Sequence, residues 1–124
     1  MGKVYKRPQV IRDLIELATY ISQENLEAAE QFLLAAEETF RQLVKMPRMG
    51  KIRDCVNPDL ADIRQQAVKG FRKYLIFYRT RDTDIEILRV LHGARDIETI
   101  LDQDLNAIAL SLIQILCDHK EDTD

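Results

Sequence analysis

Six side chains, Arg64, Arg72, Arg79, Arg89, Arg95 and His92, form the group in this chain suited to act on a phosphate or on an acidic protein surface. Arginine is permanently charged and presents several donors in one plane, so such a group supplies cationic contacts. Arg72, Arg79 and Arg89 also read as ordinary strand residues whose stems pack and whose heads pair with nearby acids. His92 is the one proton-transfer candidate among the six, although a histidine closing an apolar strand is commonly structural. Cys55 and Cys117 show no metal-ligand spacing, and with only His92 and His119 beside them, no metal and no cofactor are expected.

The elements that must position these residues begin with a β-hairpin over residues 70 to 96 that exits into a helix. Tyr74, Ile76 and Tyr78 alternate with Leu75 and Phe77, so both faces of the first strand are largely apolar, as expected of an interior strand covered on two sides. The second face therefore needs a cover. The second strand carries Ile85, Ile87 and Leu91 on one face and Leu88, Val90 and His92 on the other, with Arg81-Asp82-Thr83-Asp84 as the turn. Gly93 is expected to adopt a conformation that a β-carbon would penalise, and Asp96 to cap a helix beginning at Ile97.

Upstream, Lys3-Val4-Tyr5-Lys6 alternates as a short strand, and Pro8 suits a first helical turn. Val10, Leu14, Leu17 and Ile21 recur at helical spacing; after Ser22-Gln23-Glu24-Asn25, a second helix capped by Asn25 buries Phe32, Ala36, Phe40, Leu43 and Val44. So short a link makes the two helices an antiparallel hairpin. Pro47 to Gly50 ends the second helix, residues 51 to 61 with Asn57-Pro58-Asp59 read as a loop, and Ile63 to Val68 as a strand. The fold class is α+β, an N-terminal strand and a helical hairpin packed on a small, mainly antiparallel sheet, followed by an amphipathic helix.

That last helix is long. Ile97, Leu101, Leu105, Ile108, Leu112 and Ile115 extend an apolar stripe over about five turns. Fully buried, six such side chains contribute on the order of 10 kcal/mol before entropy is subtracted. The stripe completes the protein's own core, pairs with a second copy as a homodimer, or occupies an open sheet face or groove; residues 118 to 124 read as a solvated acidic tail.

At 124 residues and 46% hydrophobic content the chain can bury one compact core. Residues 1–101 are expected to be one domain, with 102–124 as its helical extension and tail. No apolar run approaches the roughly 20 residues of a membrane span, and no basic segment followed by an apolar one marks a secretory signal, so the expected location is the cytoplasm, away from any membrane. The net charge of -3 argues against a generic nucleic-acid binder. It is unevenly placed: residues 1–101 carry 17 Lys and Arg against 15 Asp and Glu, whereas residues 102–124 carry Lys120 against six acids.

Gly70-Phe71-Arg72-Lys73-Tyr74 through Tyr78-Arg79, and Leu88-Arg89-Val90-Leu91-His92-Gly93-Ala94-Arg95-Asp96, resemble the RelE/ParE superfamily, toxins of bacterial type II toxin-antitoxin modules. The second stretch is similar to the ParE branch in particular, and the likeness covers roughly residues 3 to 101, including the order of elements. The resemblance implies growth inhibition by binding a target protein, DNA gyrase, with Arg72, Arg89, His92 and Arg95 as target contacts and a cognate antitoxin as partner. The alternative it implies is a ribosome-dependent mRNA endonuclease of the RelE type, in which a base takes the ribose proton and an acid serves the leaving oxygen. His92 would then be the base, yet no tyrosine follows Tyr78 and His119 sits in the acidic tail, so that set is incomplete. A third alternative is an inactive member whose terminal helix covers its own working face.

Overall fold

The computed structural model describes residues 2–53, 61–97 and 99–103. Strand β1 (Val4–Lys6) leads into helix α1 (Pro8–Ser22), a short turn leads to α2 (Leu26–Lys45), and strands β2 (Lys51–Ile52), β3 (Arg64–Val68), β4 (Phe71–Arg81) and β5 (Asp84–His92) follow. The strands form one sheet in the order β1-β5-β4-β3-β2, with β1 parallel to β5 and the other neighbours antiparallel. This is the expected α+β layering, with one addition. β2 lies in the stretch read as a loop; two residues are too few to display a strand's alternation, and pairing of Lys51 with Gln65 and Ile52 with Arg64 makes the strand.

Both helices start where their sequences supply a terminus. Pro8 occupies the first turn of α1, where its missing N–H has no partner to lose. Asn25 caps α2 through its side-chain oxygen, which accepts the Ala28 N–H at 3.1 Å. Val10, Leu14 and Ala18 of α1, with Ala29, Phe32, Ala36, Phe40 and Leu43 of α2, pack against Ile76, Tyr78, Ile85, Ile87 and Val90 on one sheet face. Leu17, Ile21 and Val44 border this core.

A second core lies on the opposite face. Ile63, Phe77, Leu88 and Leu91 are buried together with Ile97 and Leu101, so the chain following β5 supplies the cover that the doubly apolar β4 demands. The backbone is helical at 97 and 99–103. Asp96 anchors its start, accepting the Thr99 hydroxyl at 2.8 Å and, more loosely, the Thr99 N–H at 3.5 Å.

Strand β5 does not alternate simply. Tyr78 pairs with Ile87 but Phe77 pairs with Arg89, so Leu88 is an extra residue, a β-bulge. The bulge reverses the assignment of later side chains: Val90 joins Ile85 and Ile87 beneath the helices, and Leu91 joins Leu88 on the other face. Uninterrupted alternation had paired Leu91 with Ile85 and Val90 with Leu88. The expected conformation of Gly93 is also not found. Positive φ occurs instead at Gly70 (81°), between β3 and β4, and at Asp82 (55°), between β4 and β5. A β-carbon at Gly93 would meet Leu75 and Lys73 atoms at an ordinary 3.5 Å.

Tyr78 ties down the corner after α2. Its hydroxyl donates to the Pro47 carbonyl at 2.8 Å and accepts the Gly50 N–H at 2.9 Å, while Arg64 donates to the Gly50 carbonyl at 2.8 Å. Burial raises the Tyr78 pKa, against the lowering effects of the Gly50 bond and of Arg64, which keeps the phenol protonated as a donor.

The expectations for Cys55, for the loop at Asn57-Pro58-Asp59, for the stripe from Leu105 to Ile115, for Cys117 and His119, for the acidic tail and for a homodimer through the terminal helix lie outside the described residues. Among the described residues, no helix is long and apolar enough to cross a membrane and no group of side chains could hold a metal ion.

Replacing Leu101 by Ala is expected to cost about 2–5 kcal/mol, the range for emptying a buried leucine site, and urea unfolding monitored by circular dichroism measures it. A loss within experimental error would mean that Leu101 is not part of the core described for it.

Candidate functional site

Asp13 stands on the buried side of α1, an acid among Val10, Leu14 and Ala18. Its carboxylate accepts from Arg89 Nε at 2.8 Å and Arg89 Nη2 at 2.9 Å, from the Val90 backbone N–H at 3.1 Å and from Gln9 Nε2 at 3.2 Å. β1 pairs along β5 only as far as Ile87, and among the described residues no strand takes the outward amides of β5 beyond that point. Asp13 takes the Val90 amide in its place. The side chains are 3% and 10% exposed, so the charges meet largely out of water.

Arg89, expected as a target contact, is buried in this structure and paired with Asp13. Its guanidinium is buried and its charge is answered inside the fold, which makes its work the alignment of α1 with β5. Arg79 lies 3.1 Å from Asp62, and Arg64 is bonded to the Gly50 carbonyl. Arg72 is exposed on β4.

The structure does bring His92 and Arg95 together. With Tyr74 from β4, and with Glu16, Leu17 and Tyr20 from α1, they line a groove of about 680 Å³ where β5 ends. Arg72 is not among its lining residues. The groove begins directly beyond the Asp13 network, because Val90 and His92 are two residues apart on one strand.

His92, Tyr74 and Arg95 bring donors to this groove, beside the carboxylate of Glu16. His92 Nδ1 accepts the Ala94 N–H at 3.0 Å, and since a backbone amide can only donate, the proton of the neutral ring resides on Nε2. The imidazole meets Tyr74 edge-on, ring centres 5.3 Å apart, and Tyr74 in turn packs edge-on against Phe32 at 5.1 Å. The Tyr74 pKa is raised, first by burial and then by the negative charge that Tyr20 and Glu24 can carry beside it, so its phenol is also held neutral. Arg95 is exposed and Tyr20 is 67% exposed. An imidazole N–H, a phenol and a guanidinium around an apolar wall suit the carbonyl and carboxylate oxygens of a protein surface.

Three residues of this region escaped sequence reasoning. Asp13 had a readable signal, an acid within the buried stripe of an amphipathic helix, which requires a buried cation somewhere in the fold. Tyr74 lies within the first of the two stretches that carried the resemblance, but as part of an apolar strand it reads as core. Nothing local marks Tyr20, whose place in the groove depends on how α1 lies over the end of β5.

The family model described as ParE toxin of type II toxin-antitoxin system, parDE, matches residues 4–97, a span that holds β1 to β5, α1, α2 and the lining residues of the groove. No curated protein matches the sequence. Among solved structures, a chain of the chromosomal ParDE TA system from P. aeruginosa is similar in fold, with a TM-score of 0.59 and 18% identity, covering 74% of this chain and 96% of that one.

Asp13→Ala would leave the Arg89 guanidinium buried without its counter-charge and is expected to lower stability by about 3–5 kcal/mol. Arg95→Ala, at an exposed position, is expected to change it by about 0.5 kcal/mol or less. Thermal unfolding of the two variants side by side distinguishes the supporting residue from the surface one; equal losses would contradict this assignment.

Proposed function

The chain belongs to the ParE toxin family of type II toxin-antitoxin systems, and from that membership we propose that it inhibits DNA gyrase by binding it and that a cognate antitoxin neutralises it. His92 and Arg95 are the contacts to the target within the groove, Arg72 adds a cationic contact from β4, and Arg89 acts on them only through the strand it holds. The observation that carries the binding mode is the hydrogen bond from the Ala94 N–H to His92 Nδ1. It makes the histidine a donor at Nε2. Cleavage of mRNA at the ribosome needs a group to accept the ribose proton, a role worth about 100-fold to 10,000-fold in rate. His92 does not offer its free nitrogen for that role, whereas inhibition by binding needs only a surface of fitting shape and charge.

The antitoxin partner follows from the same membership. An acidic, amphipathic or extended segment suits a surface that joins apolar contacts on the helical hairpin to the cations Arg95 and Arg72 and the Nε2–H donor of His92. Residues 1–101 serve as the toxin domain, with residues 102–124 as an extension of it.

Inducing the chain in bacteria without an antitoxin, with pulse labelling of DNA and protein within minutes, is expected to show DNA synthesis falling first. Arg95→Glu and His92→Ala are each expected to relieve growth inhibition at least about tenfold, the scale of one lost hot-spot contact, with melting temperature retained. An early fall in protein synthesis instead would favour RNA cleavage.

A further inference from the structure

Residues 64–81, which make up β3, β4 and the turn between them, hold six Lys and Arg and no acid, whereas the rest of the chain holds 12 against 21. An acidic molecule thus carries one wholly cationic hairpin. The net charge of -3 averages over this separation and hides it.

The two ends of the hairpin differ. At the open end Arg64 bonds to the Gly50 carbonyl, Arg79 lies 3.1 Å from Asp62 and Arg81 3.5 Å from Glu86, so groups of the fold meet those charges. At the turn, Lys69, Arg72 and Lys73 are all exposed. Lys69 meets Glu38 at 3.1 Å in an exposed pair of the kind that contributes little, and among the described residues Arg72 and Lys73 have no ion-pair partner.

The turn is held in place. Gly70 closes it at a φ of 81°, the Lys69 N–H donates to Thr39 Oγ1 at 3.1 Å, and Phe71 packs edge-on against Phe32 with ring centres 5.4 Å apart. Cations fixed on such a turn lose little freedom when they bind.

The sheet also narrows here. Among the described residues β2 pairs with β3 only at Arg64 and Gln65, and the last rung between β4 and β5 joins Tyr74 to His92, so the turn ends a ribbon two strands wide. Arg72 and Lys73 are neighbours on β4 and project to opposite sides of it. A two-stranded ribbon fits the major groove of duplex DNA, whose two walls are rows of phosphates, so cations on both of its sides find anions. A single acidic peptide meets one side.

We propose that the β3–β4 turn binds the phosphate backbone of duplex DNA through Lys69, Arg72 and Lys73. On the gyrase reading above, on which this rests, the Arg72 contact goes to the DNA that the target enzyme holds. The groove for the protein contact lies alongside, because the Gly93 N–H bonds to the Lys73 carbonyl at 2.8 Å between His92 and Arg95.

Fluorescence anisotropy of a labelled DNA duplex titrated with the purified full chain, without gyrase, tests it. Binding is expected to weaken about 40-fold between roughly 50 and 200 mM salt, the loss for three neutralised phosphates. Arg72→Gln and Lys73→Gln should each weaken binding at low salt and reduce that loss to about 12-fold, as for two phosphates, while Lys73→Arg keeps the full dependence. Arg48→Gln, at the other end of β4 beside Thr80 and Asp82, should leave the salt dependence unchanged. No binding of the duplex at low salt overturns the proposal, as does binding that Arg72→Gln and Lys73→Gln leave intact. Capture of a poly-glutamate peptide without the duplex overturns it in favour of an acidic protein segment, and tighter binding of an RNA duplex in favour of RNA. Supercoiling by purified gyrase is read separately: a chain that binds duplex through the turn yet leaves gyrase active upholds this contact and removes the gyrase reading.

Discussion

The buried carboxylate of Asp13 is the constraint around which α1 and β5 are set. A desolvated charge is tolerated only where its partners are all in place, and this one has the two-pronged guanidinium of Arg89, the amide of Val90 and the amide group of Gln9. The cost of removing both ions from water offsets much of their attraction. What the pair supplies is alignment: a slide of α1 along β5 would strand a carboxylate and a guanidinium together in a low-dielectric interior.

The opening for Asp13 comes from the brevity of β1. That strand pairs with β5 only through Ile87, so among the described residues the stretch of β5 beyond it has no strand beside it, and α1 meets it with a side chain instead of a backbone. At the same place the extra residue Leu88 bends β5 and turns Val90 toward the helices. The groove follows directly from these two irregularities, because His92 and Arg95 continue a strand that has just been re-aimed and clamped. On the far side, Ile97 and Leu101 close over Phe77, Leu88 and Leu91, so the sheet is clad on both faces.

Much of this was legible in the residues. Period-four apolar spacing in Val10, Leu14 and Phe32, Ala36, Phe40 located the helical faces, Asn25 marked a cap, and the doubly apolar β4 announced a cover on its second face. The faces of β5 were misread beyond Ile87 because a bulge has no sequence signature of its own; it is a matter of which residues of the neighbouring strand find partners. The same cause hides the role of Arg89. An arginine in a strand looks identical whether it faces water or a buried acid 76 positions away, and only the tertiary approach of α1 separates the two. Gly93 drew attention by standing at a strand exit, but the left-handed turn that a glycine relieves lies at Gly70.

The parallel pairing of β1 with β5 also has a consequence for when the protein becomes itself. Strand β1 is completed by β5, far along the chain: the Lys3 amide meets the Asp84 side chain across 81 positions. Contacts so distant in sequence form late, since a long loop must close before any of them is made. While the chain is being synthesised, α1 and α2 can fold against each other, but they have no sheet to rest on, and the α1 wall of the groove waits for the wall formed by Tyr74, His92 and Arg95. The groove therefore exists only where α1 and the end of β5 have come together.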